Sequence, residues 1–453
     1  MNALQAYREL SSRSREVAHL DSAMELAYWD QRTNIPAKGH AHRVRHLAAI
    51  AKMRYRRFTD PRIGELLSRV ESSEMARDPV SVEAANIREW RRLYNRLRSV
   101  PAQLATDLVR AAAEAESVWE KTRPKNDWPR FKVFLDRVVE LKREEARAIG
   151  SHDEPYDALL NEYEPGEKAD SIAALLSSLS AKLLELAERV QGSSINHKRP
   201  RLNISIPIAD QEDFATTVAR RLGYSLESGR IDVSSHPFAS GLGPGDMRIV
   251  SRFNETDLRE GLFGVVHEVG HAFYRFPDLR RVSKDDFVLW INEVNTTSLR
   301  INADEVTYDL HIVLRFELER ALINGDLEVA DLPAQWNEKS RKYLGHTPSD
   351  HREGVMQDVH WAAGLFGYFP TYTLGHLLAA QVYAQADKEL GGLDEQFARG
   401  DFGPLLDWLN RNIHSRGARF STRDLVRKVT GGEVNTGTLI RYLEDKYGGL
   451  YWP

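Results

Sequence analysis

From Met1 to about residue 190 the chain is one helix-length apolar stripe after another, and this regularity restricts the fold more than any other feature. In "HLDSAMELAYWDQ", residues 19–31, apolar side chains recur at helical spacing. "SVEAANIREWRRLYNRLRSV", residues 81–100, is amphipathic and stops before Pro101. "PAQLATDLVRAAAEAESVWEKTR" opens on a proline suited to a helix N-terminus and continues in strong helix formers. "KADSIAALLSSLSAKLLELAERVQ", residues 168–191, repeats the pattern. The Trp, Tyr and Leu of these stripes are expected in the core, and the Lys and Arg between them on solvated faces.

The texture changes near residue 192. "GSSINHKRP" reads as a loop, and "RLNISIPI" alternates like a strand. "GRIDVSS" and "DMRIVSRF" read as two more short strands, parted by the glycine-rich turn "SGLGPGD". Beyond Pro277 helical patterning resumes to about residue 450, with breaks near "GHTPSDHREG", "FGYFPTY" and "KVTGGEVNTG". The expected fold is mainly α, with a small β-sheet placed just before the segment at 264–275.

Composition narrows the function. At 453 residues the chain is long for a single core, so two lobes or a subdivided helical body are expected. Hydrophobic residues at 42% and charged ones at 28% fit a folded globular protein. There is no cysteine, which excludes disulfides and thiolate metal sites and leaves His, Asp and Glu as metal donors. A net charge of −4 gives no reason to expect nucleic acid as a partner. No apolar run approaches the about eighteen residues of a membrane span, and the charged start lacks the apolar stretch of a secretory signal. A cytoplasmic location, away from membranes, is the expectation.

Within that frame "GVVHEVGHAFYR", residues 264–275, carries chemistry. Positions i and i+4 share a helix face, so His267 and His271 can aim two imidazoles at one point, as a zinc ion requires. Glu268 lies beside them without having to be a ligand. It can take a proton from a metal-activated water as general base and return it to a leaving amine. Val265, Val266, Val269, Ala272 and Phe273 bury this helix, and a metal is an economical way to satisfy two buried histidines and a glutamate. Gly270 costs the helix about 1 kcal/mol against alanine, and its small size would let another backbone approach. A serine or cysteine mechanism has no support, because cysteine is absent and no G-x-S-x-G elbow occurs. "SGLGPGD" lacks the Lys-Ser/Thr of a phosphate loop.

Several ordered stretches resemble the M32 metallocarboxypeptidases of the carboxypeptidase Taq type. "HPF" at 236–238, "DMRIV" at 246–250, "HEVGH" at 267–271, "INADEVTYDLHIVLRFELE" from 301, "GVMQDVHW" at 354–361 and "GYFPTYTLG" at 367–375 carry the resemblance, and "LAYWDQRTNIP" extends it to the N-terminus. It implies a large, two-lobed helical body with a deep groove, usually a homodimer. It implies zinc, with cobalt or manganese as alternatives, and removal of single amino acids from peptide C-termini with broad specificity. Residues 1–190 are then an N-terminal helical region. Residues 191–453 are a catalytic region of sheet, zinc helix and C-terminal helices, one integrated unit. The resemblance makes His267 and His271 metal ligands and Glu268 the base. A carboxypeptidase also needs a cation for the terminal carboxylate, and arginine suits it by bidentate pairing. Arg352 is the first candidate and Arg248 the second, each as readily a structural ion pair. His360, Tyr368 and Tyr372 are candidate donors to the tetrahedral oxyanion, with Tyr368 also a substrate contact. His236 and Asp246 are expected in the wall of the site. Asp304, Glu305 and His311 are expected to orient ligands, or simply to bond within the core.

The resemblance breaks in two places. Val250 stands where the family motif ends in threonine. More seriously, the family's third ligand is a glutamate in an H-E-S-Q or H-E-G-Q motif, and no such motif follows "HAFYRFPDLRR". The chain runs directly into "VSKDDFVLWINEVNTTSLRINADE", so the simplest alignment omits roughly fifty residues. Glu293, 22 positions after His271, is the candidate substitute, with Asp304 and Glu305 as rivals and an ordinary charged side chain as the plainer reading. Two other accounts stay open. Metal could be held by two histidines and water, or the chain could be a degenerate, non-catalytic member that binds peptides or a protein partner.

Overall fold

The computed structural model describes residues 1–151, 153–195, 205–221, 223–234, 238–255 and 284–452. Its helices, in chain order, are α1 Ala3–Thr33, α2 His40–Phe58, α3 Pro61–Glu71, α4 Val82–Ser99, α5 Ala102–Thr122, α6 Trp128–Ile149, α7 Pro155–Tyr163, α8 Ala169–Gly192, α9 Ile208–Arg221, α10 Lys284–Ile291, α11 Tyr308–Asn324, α12 Leu332–Leu344, α13 Pro370–Leu390, α14 Asp394–Ala398, α15 Gly403–Asn412, α16 Thr422–Thr430 and α17 Gly437–Tyr451. The protein is mainly α, as its apolar periodicity requires, with one small sheet. Two compact units interleave along the chain. The first comprises Met1–Leu97, Pro200–Ile291 and Ala386–Phe420. The second comprises Arg98–Arg199, Asn292–Gln385 and Ser421–Pro453, so the change of texture near residue 190 falls inside it.

In the first unit α1 starts at a capping box. The Asn2 side chain accepts from Gln5 N at 2.9 Å, and the Gln5 side chain accepts from Asn2 N at 3.0 Å. Asp60 caps α3 by accepting from Arg62 N, with Pro61 at the first helical position. Ala6, Leu10 and Val17 of α1 pack with Ile63, Leu66, Leu67 and Val70 of α3, all at helical spacing, and with Ile87 and Tyr94 of α4. The sheet has strands β1 Gly229–Val233, β2 Phe238–Gly243 and β3 Asp246–Ser251 in the order β1-β3-β2. β1 pairs with β3 in parallel and β2 with β3 antiparallel. Gly229 is obligatory, because a Cβ there would lie 2.3 Å from Met247 O.

One expectation in the sheet region needs correction, and another falls partly, at 201–204, outside the described residues. "SGLG" is not a turn but the body of β2, because alternate positions face inward, with Ser240 and Leu242 buried. "RLNISIPI" supplies no strand among its described residues 205–208. Pro207 cannot donate to a ladder, and Ile208 already begins α9.

The second unit is organised around α11. Twelve of its seventeen residues are buried, four of them ionisable: Asp309, His311, Arg315 and Glu319. α6, α7, α8 and α12 pack on it, which explains the need for apolar residues on nearly every side. Leu310, Leu314 and Leu318 are fully excluded from water, within a core that also takes Leu135, Leu159 and Leu179. After α12 the chain runs without α-helix from Gly345 to Phe369 and then enters α13. This long connection is held by its own turns and by side chains reaching into it, such as Trp119 Nε1 donating to Met356 O at 2.8 Å. Leu314→Ala is expected to destabilise the protein by about 2–5 kcal/mol in urea unfolding. Val109→Ala, at a position 54% exposed on α5, is expected to stay within about 0.5 kcal/mol of wild type.

Candidate active site

The helix-free segment 345–369 delivers Asp358 into the second unit opposite two arginines. Arg300 donates to Asp358 Oδ1 from Nε at 3.1 Å and from Nη2 at 2.8 Å. Arg315, from α11, donates from Nε to Oδ2 at 2.8 Å. The three side chains are 9%, 0% and 11% exposed for Arg300, Arg315 and Asp358, so the cluster is a buried group with one surplus positive charge. Burial alone would raise the Asp358 acid. The Arg315 and Arg300 guanidiniums overcome that and hold it well below the usual carboxylate range.

Arg300 is gripped from a second side. Its backbone N–H donates to Gln357 Oε1 at 2.8 Å, and its Nη1 donates to Tyr308 OH at 2.7 Å. Its guanidinium lies 5.2 Å from the Tyr372 ring centroid and 5.7 Å from those of Tyr308 and Phe369. Three of its five N–H groups are used in this way, and two have no acceptor among the described residues.

Beside the charge cluster stands a set of neutral donors. His360 stacks on Tyr368 with centroids 5.7 Å apart and lies 4.6 Å from Phe369. Its Nε2 is 3.3 Å from Tyr372 OH. Burial pushes the His360 pKa down to about 4, with Arg300 and Arg315 adding to the effect and Asp358 opposing it, so the ring is neutral near pH 7. Burial also raises Tyr372 well above the usual phenol range. Both groups can therefore donate a hydrogen bond at neutral pH without gaining or losing a proton. One turn further along α13, His376 shares Asp309 with Thr373. Asp309 Oδ1 is 3.0 Å from His376 Nδ1 and 2.7 Å from Thr373 Oγ1. Burial would lower His376, but the Asp309 bond outweighs it and the pKa rises.

A family profile described as "Carboxypeptidase Taq (M32) metallopeptidase" matches residues 9–277 and 275–447. The chain belongs to the M32 metallocarboxypeptidase family. Thermostable carboxypeptidase 1 of Thermus thermophilus is 43% identical over 507 residues, covering 98% of this chain and 99% of the relative. Carboxypeptidase 1 of Bacillus subtilis is 31% identical, covering 96% and 97%. The crystal structure of the M32 carboxypeptidase from Deinococcus radiodurans superimposes with a TM-score of 0.90 at 30% identity, covering 99% of each chain.

The sequence candidates of this M32 chain fall in three groups. His236, His267, Glu268 and His271 lie outside the described residues. His360, Tyr368 and Tyr372 come together as described. The third group holds Arg352, Arg248, Glu293, Asp304, Glu305 and His311. Arg352 is half exposed and pairs with Asp350 at 2.6 Å, within the same turn. Arg248 belongs to the first unit, where it pairs with Asp246 in two bonds of 2.9 Å and lies 4.1 Å over the Trp29 ring. Glu293 is half-buried, two residues past the end of α10 and next to the core residue Val294. Asp304 and Glu305, its rivals, are bonded as well. Asp304 accepts from the backbone N–H groups of Asn295, Val306 and Thr307 and from the Thr307 hydroxyl, and Glu305 pairs with Lys446. His311 is fully buried, and neither ring nitrogen has a partner among the described residues.

Arg300, Asp358, Tyr308 and His376 were not singled out by the sequence reading. "LRINADE" and "QDVHW" do contain the first two, but their pairing spans 58 positions, which no local pattern reveals. An arginine flanked by Leu299 and Ile301 was the available signal.

Asp358→Asn leaves two buried guanidiniums without a counter-ion and is expected to cost about 3–5 kcal/mol in urea unfolding. A pH titration of the His360 ring by NMR is expected to give a midpoint near 4, and an ordinary value near 6.5 would contradict this geometry. The sign for stability follows. Between about 6.5 and about 4 the unfolded chain binds the proton at His360 and the folded one does not. This residue's contribution is therefore complete above that window and is lost as pH falls through it.

Proposed function

We propose that the protein is a zinc-dependent carboxypeptidase that removes single amino acids from peptide C-termini with broad specificity. The observation that carries the reading is the buried, surplus-positive Asp358 cluster beside a set of neutral donors, in a chain that also carries "HEVGH". The donor chemistry fits a zinc ion. His267 and His271 supply two imidazoles at helical i, i+4 spacing, and a carboxylate completes a common peptidase set. Glu293 is the proposed third ligand on its spacing, 22 positions after His271. When bound, zinc supplies Lewis-acid polarisation of the scissile carbonyl and an acidified water.

The chain's own groups then divide the work. Glu268 takes the proton of the attacking water and passes it to the leaving amine. His360 and Tyr372 donate to the oxygen on which negative charge develops, and their neutrality suits them to it. Arg300 meets the substrate's terminal carboxylate with its two remaining N–H groups, the aromatic rings of Tyr372 and Phe369 confining it. Arg352, half exposed and paired within its own turn, and Arg248, paired with Asp246, are the alternatives that the same experiment distinguishes. Tyr368 and His236 line the substrate. Residues 191–453 hold all these groups and are the proposed catalytic region. Assembly as a homodimer and a cytoplasmic location complete the proposal.

Two features of the family matches support the reading that a segment is missing after the histidine helix. The two matched stretches meet at residues 275–277. The alignment with the Thermus thermophilus relative spans 507 positions and takes in 98% of the 453 residues, so it exceeds the residues aligned by at least 54. The loss of the third-ligand motif favours a second reading, a non-catalytic peptide binder.

Release of free amino acid from N-blocked dipeptides by zinc- or cobalt-loaded protein decides between them. Activity that falls by about 100-fold or more in Glu268→Gln is expected of the enzyme. Equal, negligible release by both proteins supports the binder. Glu293→Ala is expected to weaken zinc binding in calorimetry by about 10-fold or more, and unchanged affinity excludes Glu293 as a ligand.

A further inference from the structure

Glu319 lies on α11, three turns beyond Tyr308, and is fully buried. It takes no part in the Asp358 cluster. Its carboxylate instead accepts three hydrogen bonds. Trp361 Nε1 donates to Oε1 at 2.8 Å, Tyr156 OH donates to Oε2 at 2.9 Å, and Gly367 N donates to Oε2 at 3.1 Å.

Two of those donors bracket one loop. Trp361 directly follows His360, and Gly367 directly precedes Tyr368. Between them the chain is free of helix. Gly367 has φ +88°, and a Cβ on it would lie 2.9 Å from Leu160 N, so this end of the loop is pressed against α7 in a conformation reserved for glycine. The third donor, Tyr156, comes from α7 itself. A single carboxylate thus ties α11 and α7 to both ends of the loop whose flanks carry the His360 and Tyr368 rings. Burial pushes the Glu319 acid up to about 7, although all three donors and Arg315 pull the other way. An acid kept in such a place costs stability, and what it delivers is placement.

We propose that Glu319 is a positioning residue that sets His360 against Tyr368 and Tyr372 by holding Trp361 and Gly367 from beneath. It touches neither substrate nor metal and acts through those two residues. The inference rests on the reading of His360 and Tyr372 as donors to the reacting carbonyl. Glutamine cannot replace the acid, because its amide NH2 would face a donor where the carboxylate accepts.

The test is a double-mutant cycle on hydrolysis of an N-blocked dipeptide by the full chain, with rates expressed per bound metal ion. Tyr372→Phe and His360→Ala are each expected to lower kcat about 100-fold. Glu319→Gln is expected to lower kcat about 10- to 100-fold with KM within about threefold, and the Glu319→Gln/His360→Ala double variant to be no more than about threefold slower than His360→Ala. Losses that multiply would overturn the proposal, since Glu319 would then act elsewhere. Tyr156→Phe removes a donor that holds neither end of the loop, so it should lower the melting temperature and keep kcat. Trp361→Phe breaks one tie while keeping a ring, and it serves if Glu319→Gln does not fold. It should reproduce the fall in kcat, and wild-type kcat in it would contradict the proposal. Wild-type kcat in Tyr372→Phe would sink the reading of the donor cluster itself, and that outcome needs no Glu319 variant to be recognised. Should the metal-loaded wild type turn over no dipeptide, the His360 ring resonances decide. They should move in Glu319→Gln and stay in Tyr156→Phe, and unchanged resonances in Glu319→Gln overturn the proposal.

Discussion

Asp358 faces two guanidiniums with almost no water around any of the three side chains. Taking three charges out of solvent is costly, and only close pairing with further hydrogen bonds offsets it. That requirement fixes the second unit's polar centre. Arg315 anchors the cluster to α11, Arg300 ties in the segment before that helix, and Asp358 ties in the long helix-free connection. The surplus positive charge is spread against the rings of Trp336, Phe369 and Tyr372. A buried cation with donors to spare is what a carboxylate ligand needs, and a chain that cleaves at a C-terminus needs such a ligand site.

α11 shows how one helix serves both packing and chemistry. Tyr308, His311, Arg315 and Glu319 recur three or four positions apart, so they form a polar seam along one side of the helix. Three levels of the seam hold different parts of the unit. Tyr308 steadies Arg300, Arg315 pairs with Asp358, and Glu319 receives Trp361, Tyr156 and Gly367. The effect on titration is consistent. His360 and Tyr372 stay neutral because burial penalises their charged forms, while Asp358 stays ionised because two cations face it. Groups of opposite electrostatic duty are thereby kept a few ångströms apart.

The helices were legible because each buries a stripe that its own sequence displays. α1, α4, α5 and α8 all lie where apolar spacing and proline or cap signals put them. β2 was harder, because "SGLG" has too little apolar content to announce a strand that owes its existence to pairing with β3. The long connection from 345 to 369 was read as two short breaks. Its turns contain enough apolar residues to imitate helix, and only tertiary bonds such as that of Trp119 to Met356 show what holds it. In the site, His360, Tyr368 and Tyr372 were found through motifs because they are close in sequence. Arg300 and Asp358 were not, because their meaning lies in a contact across 58 positions. Arg352 drew attention by sitting two residues before "GVMQDVHW", yet its side chain turns back to Asp350. The histidine pair and Glu268 lie outside the described residues and rest on the sequence alone.

Arg300, held by Asp358 and Tyr308, is the proposed cation for a peptide's terminal carboxylate. Calorimetric binding of one peptide in free-acid and amidated forms to the Glu268→Gln protein tests it most directly, with Arg300→Gln and Arg352→Gln introduced in turn. The free acid alone is expected to bind, about 10-fold or more weakly on Arg300→Gln and with affinity retained on Arg352→Gln. Equal affinity for acid and amide, or loss of binding on Arg352→Gln with Arg300→Gln unaffected, would contradict it.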